Sequence, residues 1–77
     1  MNLDELAEGT VGRIDAITAP SAELEAKLRE IGFCEGDEVE VLGRGPLGGQ
    51  PLAIRLNRRI IALRGAEARA VKVEPVP

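Results

Sequence analysis

The sequence contains no histidine, no tryptophan and no tyrosine, and it has one phenylalanine, one cysteine and one methionine. Because imidazole and thiolate groups are the usual ligands of transition metals, a site of that kind is nearly excluded. The same scarcity removes the base that serine, cysteine and histidine catalysis requires, so we expect no enzyme activity and no cofactor. Platforms that stack nucleic-acid bases and grooves that bind proline-rich peptides need several aromatic rings, and Phe33 is alone.

The features that report on localisation all indicate the cytoplasm. The single cysteine, Cys34, cannot form an internal disulfide, and residues 1–6 are polar and acidic, unlike a secretion signal. No apolar run approaches the roughly 18 residues that a membrane span requires. We therefore expect a cytoplasmic protein without direct membrane insertion, and the length predicts a single domain over residues 1–77.

The charged residues are divided unevenly along the chain, although the net charge is only −3. Residues 1–42 hold eleven acidic and three basic residues, a net charge of −8, whereas residues 43–77 hold seven basic and two acidic residues, a net charge of +5. Two interpretations remain open. The two parts screen each other across one surface, or the surface is polarised and steers a charged partner.

The residues from 20 to 36 predict a helix with a defined beginning and end. Ser21 suits the N-cap of a helix over 22–31, and the glycine that follows this helix suits the left-handed position at its C-terminus. The phenylalanine after that glycine then packs back on the last leucine of the helix, and a second glycine turns the chain into the next strand. We assign structural roles to Leu28, Gly32, Phe33 and Gly36.

Most of the remaining chain alternates apolar and polar residues in short runs, which is typical of β-strands. The predicted strands cover residues 10–17, 37–42, 52–56, 60–64 and 70–74. Four glycines and two prolines predict a loop over 43–51, and residues 57–59 predict a tight connection. The sequence therefore predicts a mainly β protein with one short helix, folded as a small barrel of about five strands.

Two clusters of charged residues are candidate binding sites. The acidic residues within 35–40 do not suit a cation, because strand alternation sends Asp37 to the face opposite Glu38 and Glu40. The most prominent basic cluster comprises Arg55, Arg58, Arg59 and Arg64. An acidic isoelectric point of about 4.9 and the missing aromatic residues disfavour nucleic acid as its partner.

Residues 28–41 read Leu-Arg-Glu-Ile-Gly-Phe-Cys-Glu-Gly-Asp-Glu-Val-Glu-Val, and residues 45–52 read Gly-Pro-Leu-Gly-Gly-Gln-Pro-Leu. This pattern resembles FeoA, a family of small cytosolic accessory proteins of bacterial ferrous iron uptake, and the likeness spans nearly the whole chain. The resemblance implies an SH3-like barrel with a helix beside it, and contact with the FeoB-type membrane iron transporter on its cytosolic side. Gln50 before Pro51 and the hairpin tip at 57–59 depart from the usual family sequence.

Two other classes of function remain as alternatives. The first is a small-barrel nucleic-acid-binding domain or a regulatory domain like that of iron-dependent repressors. Those repressors also carry a helix-turn-helix and metal ligands, for which this chain has no room. The second is a direct iron carrier, which the absent histidines and the solitary cysteine disfavour.

Two loop segments that carry arginine beside apolar residues predict the partner-binding surface, since loops on a rigid scaffold commonly carry binding residues. The candidate residues are Arg44, Pro46, Leu47, Arg58 and Arg59. Leu47 has no alternating neighbours that would send it into a core. It is either the apolar centre of a docking patch with a charged rim or a lid over the mouth of the barrel.

Overall fold

The computed structural model describes all 77 residues and contains five β-strands, one regular α-helix and two short helical turns. The strands are β1 (Val11–Ile17), β2 (Glu38–Gly45), β3 (Gly49–Leu56), β4 (Arg59–Leu63) and β5 (Val71–Pro75). The regular helix is α1 (Ala22–Ile31), the turn α2 covers Gly65–Arg69, and a 3-10 turn covers Leu3–Glu5. The predicted mainly β fold with one short helix is confirmed.

The five strands form one antiparallel sheet in the order β4-β3-β2-β1-β5. Sixteen buried apolar residues make a single core cluster. Leu63 of β4 and Val73 of β5 belong to this cluster although their strands lie at opposite edges of the sheet. The sheet therefore curls around one core, as a small barrel does.

Helix α1 begins and ends at the residues that its sequence predicts. The Ser21 hydroxyl oxygen accepts a hydrogen bond from the Leu24 N–H at 3.1 Å, which is the N-cap bond. Gly32 adopts φ +124°, and the N–H groups of Gly32 and Phe33 both donate to the Leu28 carbonyl, at 3.2 and 3.1 Å. Leu28 and Phe33 are both buried, so the helix end is anchored in the core.

The prediction of an open loop over 43–51 is wrong for most of its length. Strand β2 continues to Gly45 and β3 begins at Gly49, so only residues 46–48 lie outside the two strands. An ideal Cβ on Gly45 would lie 2.2 Å from the Gln50 carbonyl oxygen. The glycines therefore permit close approach of two paired backbones, and the segment is a hairpin.

The connection between β3 and β4 is a two-residue turn formed by Asn57 and Arg58. Asn57 adopts φ +57°, the left-handed conformation that asparagine tolerates better than most residues. Arg59, which the sequence predicts to lie in the connection, is already the first residue of β4 and pairs with Leu56.

Glu67 joins the two helices from a nearly buried position. Its Oε2 atom lies 2.6 Å from the Lys27 Nζ atom, and its Oε1 atom accepts a hydrogen bond from the Arg64 N–H at 2.9 Å. The Lys27 ammonium, and after it the Arg64 N–H, lower the pKa of this carboxyl below its ordinary value.

We expect the Glu67→Gln variant to be less stable than the parent at pH 7, by up to about 1 kcal/mol. A carboxyl whose pKa is depressed by folding stabilises the protein above its unfolded pKa, and that stability is lost as the pH falls through the folded pKa. Thermal melts between pH 7 and pH 3 should therefore show the difference between variant and parent disappearing in acid. A difference independent of pH would contradict this assignment, and Glu74→Gln, at an exposed carboxylate without an ion pair, is the control.

Candidate partner-binding surface

Strand β3 separates the two segments that the sequence predicts to bind a partner. The segment 44–47 precedes this strand, and the turn at 57–58 follows it. The strand has eight residues, so its two ends lie about 25 Å apart. The candidate residues therefore form two separate surfaces, which the sequence pattern alone does not reveal.

At the first hairpin tip, Leu47 is 78% exposed. A lid over the mouth of the barrel would bury this side chain, so that interpretation of Leu47 is wrong, and its role as a docking residue stays a prediction. Leu47 lines a groove of about 420 Å³ together with Gln50, Pro51 and Arg64. Exposed Pro46 neighbours Leu47 in the same turn.

The arginine that borders this groove is Arg64, which is not among the sequence candidates. It reaches Pro51 because Leu52 pairs with Leu63 across the β3–β4 hairpin. The sequence could have indicated this, because pairing the two predicted strands through a short connection already places Arg64 beside Pro51. The Gln50 side chain also accepts a hydrogen bond from the Gly65 N–H at 2.9 Å, which fixes the groove to the start of α2.

Arg44 is exposed but its side chain is directed to another part of the molecule. Its Nη2 atom donates to the Leu6 carbonyl at 2.7 Å, which ties the first hairpin to the N-terminal segment. Arg44 therefore holds two parts of the fold together, and its guanidinium is less available to a partner than that of Arg64.

At the second hairpin tip, the two arginines have different roles. Arg59 donates from Nη2 to the Ile31 carbonyl, so its positive charge lies at the C-terminal end of α1, where the helix dipole favours a cation. Arg58 is exposed and forms no hydrogen bond or ion pair within the chain. Arg58 is thus the arginine of this tip that remains free for a partner.

The ion pairs show how far the acidic and basic parts of the chain screen each other. Among the basic residues of 43–77, only Arg55 pairs with a carboxylate, at 3.1 Å from Glu40. Five exposed arginines in this part of the chain have no carboxylate partner. Two of them, Arg44 and Arg59, bind backbone carbonyls, and the other three are Arg58, Arg64 and Arg69. This favours a polarised surface over mutual screening.

Two of the four acidic residues of 35–40, Glu35 and Glu40, form ion pairs with different arginines. Arg29 donates to both carboxylate oxygens of Glu35 at 3.0 Å, and these bonds lower the pKa of Glu35 to about 2 and raise the pKa of Arg29. Glu40 pairs with Arg55, as described above. No group of three or more potential metal-ligating side chains is brought together anywhere in the chain.

Comparison with protein families shows that the FeoA domain matches residues 1–75. The structure is similar to that of Stenotrophomonas maltophilia FeoA in complex with zinc, with 36% identity, a TM-score of 0.84, and 96% of this chain and 89% of that chain covered. That protein is described as a prokaryotic SH3 domain protein, for which a role as a ferrous iron transport activating factor was suggested.

The structure is also similar to that of iron(II) transport protein A from Clostridium thermocellum, with 38% identity and a TM-score of 0.90. The match covers 99% of this chain and 46% of that one, so this chain spans less than half of that protein. A manganese-dependent transcriptional repressor matches with a TM-score of 0.87 over 99% of this chain and 41% of its own, but at 18% identity this likeness shows the fold alone. Among curated proteins, none matches this chain.

None of the helices has both the length and the apolar character needed to cross a bilayer. The family match over 1–75, the antiparallel five-stranded sheet and the similarity to solved FeoA structures agree with one another. The chain is therefore a member of the FeoA family, the SH3-like proteins associated with ferrous iron transport.

Proposed function

We propose that this chain is a non-enzymatic, cytosolic accessory protein of ferrous iron uptake that acts by binding a FeoB-type membrane transporter. The observation that carries this proposal is the match of the FeoA domain to nearly the entire chain, residues 1–75. The role suggested for the Stenotrophomonas maltophilia relative, activation of ferrous iron transport, supports it.

The groove beside Leu47 has the composition of a surface that binds another protein. Leu47 projects into solvent from a short turn, with Pro46 and Pro51 as further apolar surface and Arg64 at the border. An apolar centre with a charged rim is the usual composition of a protein interface. The proposal assigns the apolar contact to Leu47 and the electrostatic contact to Arg64.

The test is co-purification of the tagged chain with the transporter of its own host, followed by affinity measurement with the transporter in lipid nanodiscs. Recovery of the transporter and saturable binding are expected. A chain that recovers no transporter, or that binds DNA or RNA with submicromolar affinity in a salt-dependent titration, contradicts the proposal.

We expect Leu47→Ser to weaken transporter binding about tenfold or more, because it removes an apolar side chain at the centre of the contact. The melting temperature should stay within a few degrees of the parent value, since surface substitutions change stability by about 0.5 kcal/mol or less. Leu47→Met, which keeps the side chain apolar, is the matched control and should bind like the parent. Equal binding by the serine variant would remove Leu47 from the interface.

We expect Arg64→Glu to slow association with the transporter, most strongly at low salt, because rim charges act mainly on the rate of encounter. Arg44→Glu is the informative comparison. It should affect association less than Arg64→Glu and stability more, because the Arg44 guanidinium is bound to the Leu6 carbonyl. The reverse order would indicate that Arg44 and not Arg64 faces the partner.

A further inference from the structure

The two edges of the sheet differ in whether they are covered. At the β5 edge, the Val73 N–H donates to the Met1 carbonyl at 2.8 Å, and Asn2 forms a bridge with Lys72. At the β4 edge, no backbone group of residues 59–63 bonds to any element other than β3. The chain thus covers one edge with its own N-terminus and leaves the other open.

The register of the hairpin shows which backbone groups face the open edge. Leu56 and Arg59 close a two-residue turn, so these two residues exchange both backbone hydrogen bonds. This hydrogen-bonding pattern repeats every second residue, so the backbone N–H and C=O groups of Ile61 and Leu63 also point toward β3. The N–H and C=O groups of Ile60 and Ala62 therefore point away from the sheet, as the groups of an edge strand do.

The side chains along this edge combine an apolar centre with positive charge. Ile60 is 65% exposed and Ala62 is also exposed. The residues from 41 to 66 include five arginines and no acidic residue. Arg58 and Arg64 flank β4, and neither pairs with a carboxylate.

We propose that β4 is a docking edge for an extended acidic segment of a partner protein, which adds to the sheet as a sixth, antiparallel or parallel strand. The backbone groups of Ile60 and Ala62 supply main-chain hydrogen bonds, Ile60 supplies apolar contact, and the flanking arginines select acidic side chains. The inference rests on the proposed function, since it assumes that the chain acts through protein contact.

A second copy of this chain is a poorer occupant of the same edge. Antiparallel pairing of two β4 strands would place Arg58 and Arg59 of one copy beside Arg64 of the other. No acidic residue between 41 and 66 would offset that repulsion. Like charges placed directly opposite each other destabilise a strand pair. Charge complementarity therefore favours an acidic strand.

The open edge also adjoins the Leu47 groove, because Arg64 lies at the end of β4 and borders that groove. An extended segment that pairs with β4 thus reaches Arg64 and can continue toward Leu47. Arg58, by contrast, lies at the far end of the strand, so an acidic segment must span β4 to reach both arginines.

The direct test uses the full chain and a synthetic peptide of eight residues that alternates Glu and Val, with both ends blocked. We expect the peptide to slow amide hydrogen exchange at Ile60 and Ala62, and the matched peptide of alternating Lys and Val to leave it unchanged. Protection at other amides, or equal binding by both peptides, overturns the proposal. Concentration-dependent protection of the same two amides without peptide would identify a second copy as the occupant and also overturn it.

A substitution then separates backbone pairing from other contact. Ala62→Pro removes an N–H that faces the open edge, where proline is tolerated, and should weaken binding of the Glu-Val peptide about tenfold, the effect of losing one hydrogen bond. Ala62→Val keeps the N–H and should bind like the parent. If Ala62→Pro lowers the melting temperature, a Glu-Val peptide N-methylated at alternate residues gives the same test on the parent chain, and undiminished binding overturns the proposal.

Both variants are also tested for binding to the transporter. Loss of transporter binding by Ala62→Pro but not by Ala62→Val supports the docking edge. If the Ala62→Pro variant binds the transporter as tightly as the parent does, the proposal that β4 is a docking edge is overturned, and the proposed function stands. If the parent chain does not bind the transporter, the proposed function fails, and the amide-exchange result alone decides whether β4 binds acidic segments.

Discussion

Replacing Leu28 by alanine is expected to cost about 2–5 kcal/mol of the free energy of unfolding, the usual range for a fully buried leucine. The Leu28 side chain is completely buried, and it belongs to the core cluster together with Phe33. The truncated side chain leaves a cavity where α1 meets the sheet. A folded chain of 77 residues typically has a total stability of about 4–12 kcal/mol, so this single change removes a large share of it.

The measurement is urea and thermal denaturation of parent and variant, with a fall in melting temperature on the order of 10–30 °C expected for Leu28→Ala. Leu47→Ala is the matched control, because it is the same chemical change at a leucine that is 78% exposed. We expect this control to change stability by about 0.5 kcal/mol or less. Equal melting of the two variants would mean that Leu28 does not anchor the helix.

The second large effect is expected for Gly45→Ala. Gly45 pairs with Gly49 where β2 and β3 meet, and a Cβ at this position would lie 2.2 Å from the Gln50 carbonyl oxygen and 2.7 Å from the Pro51 nitrogen. These obstructing atoms belong to the backbone, so no side chain can move aside to accommodate the methyl group. We expect a loss of stability at or above the upper end of the roughly 1–3 kcal/mol typical of overpacking.

Gly43 offers a control within the same strand. A Cβ on Gly43 meets nothing within 4 Å, and its φ is not positive. Gly43→Ala should therefore be neutral or stabilise the protein by about 0.5–1 kcal/mol, because alanine restricts the unfolded chain. Denaturation curves that rank the two variants in the opposite order would contradict the hairpin geometry.

The Gly45→Ala variant also links stability to function. The hairpin that Gly45 closes presents Leu47, so distortion of its backbone displaces the exposed leucine from the groove with Pro51 and Arg64. A variant that remains folded at low temperature should consequently bind the transporter more weakly than the parent.

Much of the fold follows from local sequence. The bounds of α1 depend on short-range chemistry, the hydroxyl of Ser21 at one end and the positive φ of Gly32 at the other, and such signals act within a few residues. The strands follow from period-two alternation, which does not depend on their partners. The sequence also resembles FeoA clearly enough to indicate the family, because the Ile-Gly-Phe motif and its flanking residues are contiguous.

The prediction of a loop over 43–51 was wrong because glycine and proline favour loops, whereas glycine also permits close pairing of strands. Composition does not distinguish these two uses. The position of the partner strand decides between them: the Gln50 and Pro51 backbone lies so close to Gly45 that this position has no room for a side chain.

The arrangement of the candidate surface likewise depends on the tertiary structure. Sequence reasoning finds exposed arginines but not the acceptors that fix them, because the Leu6 and Ile31 carbonyls that bind Arg44 and Arg59 are 38 and 28 residues away. The order of the strands in the sheet determines which edge is open. It leaves β4 at an open edge and places the N-terminus over β5. The chain by itself determines its elements and its family, whereas long-range pairing decides which arginines and which backbone groups remain free for a partner.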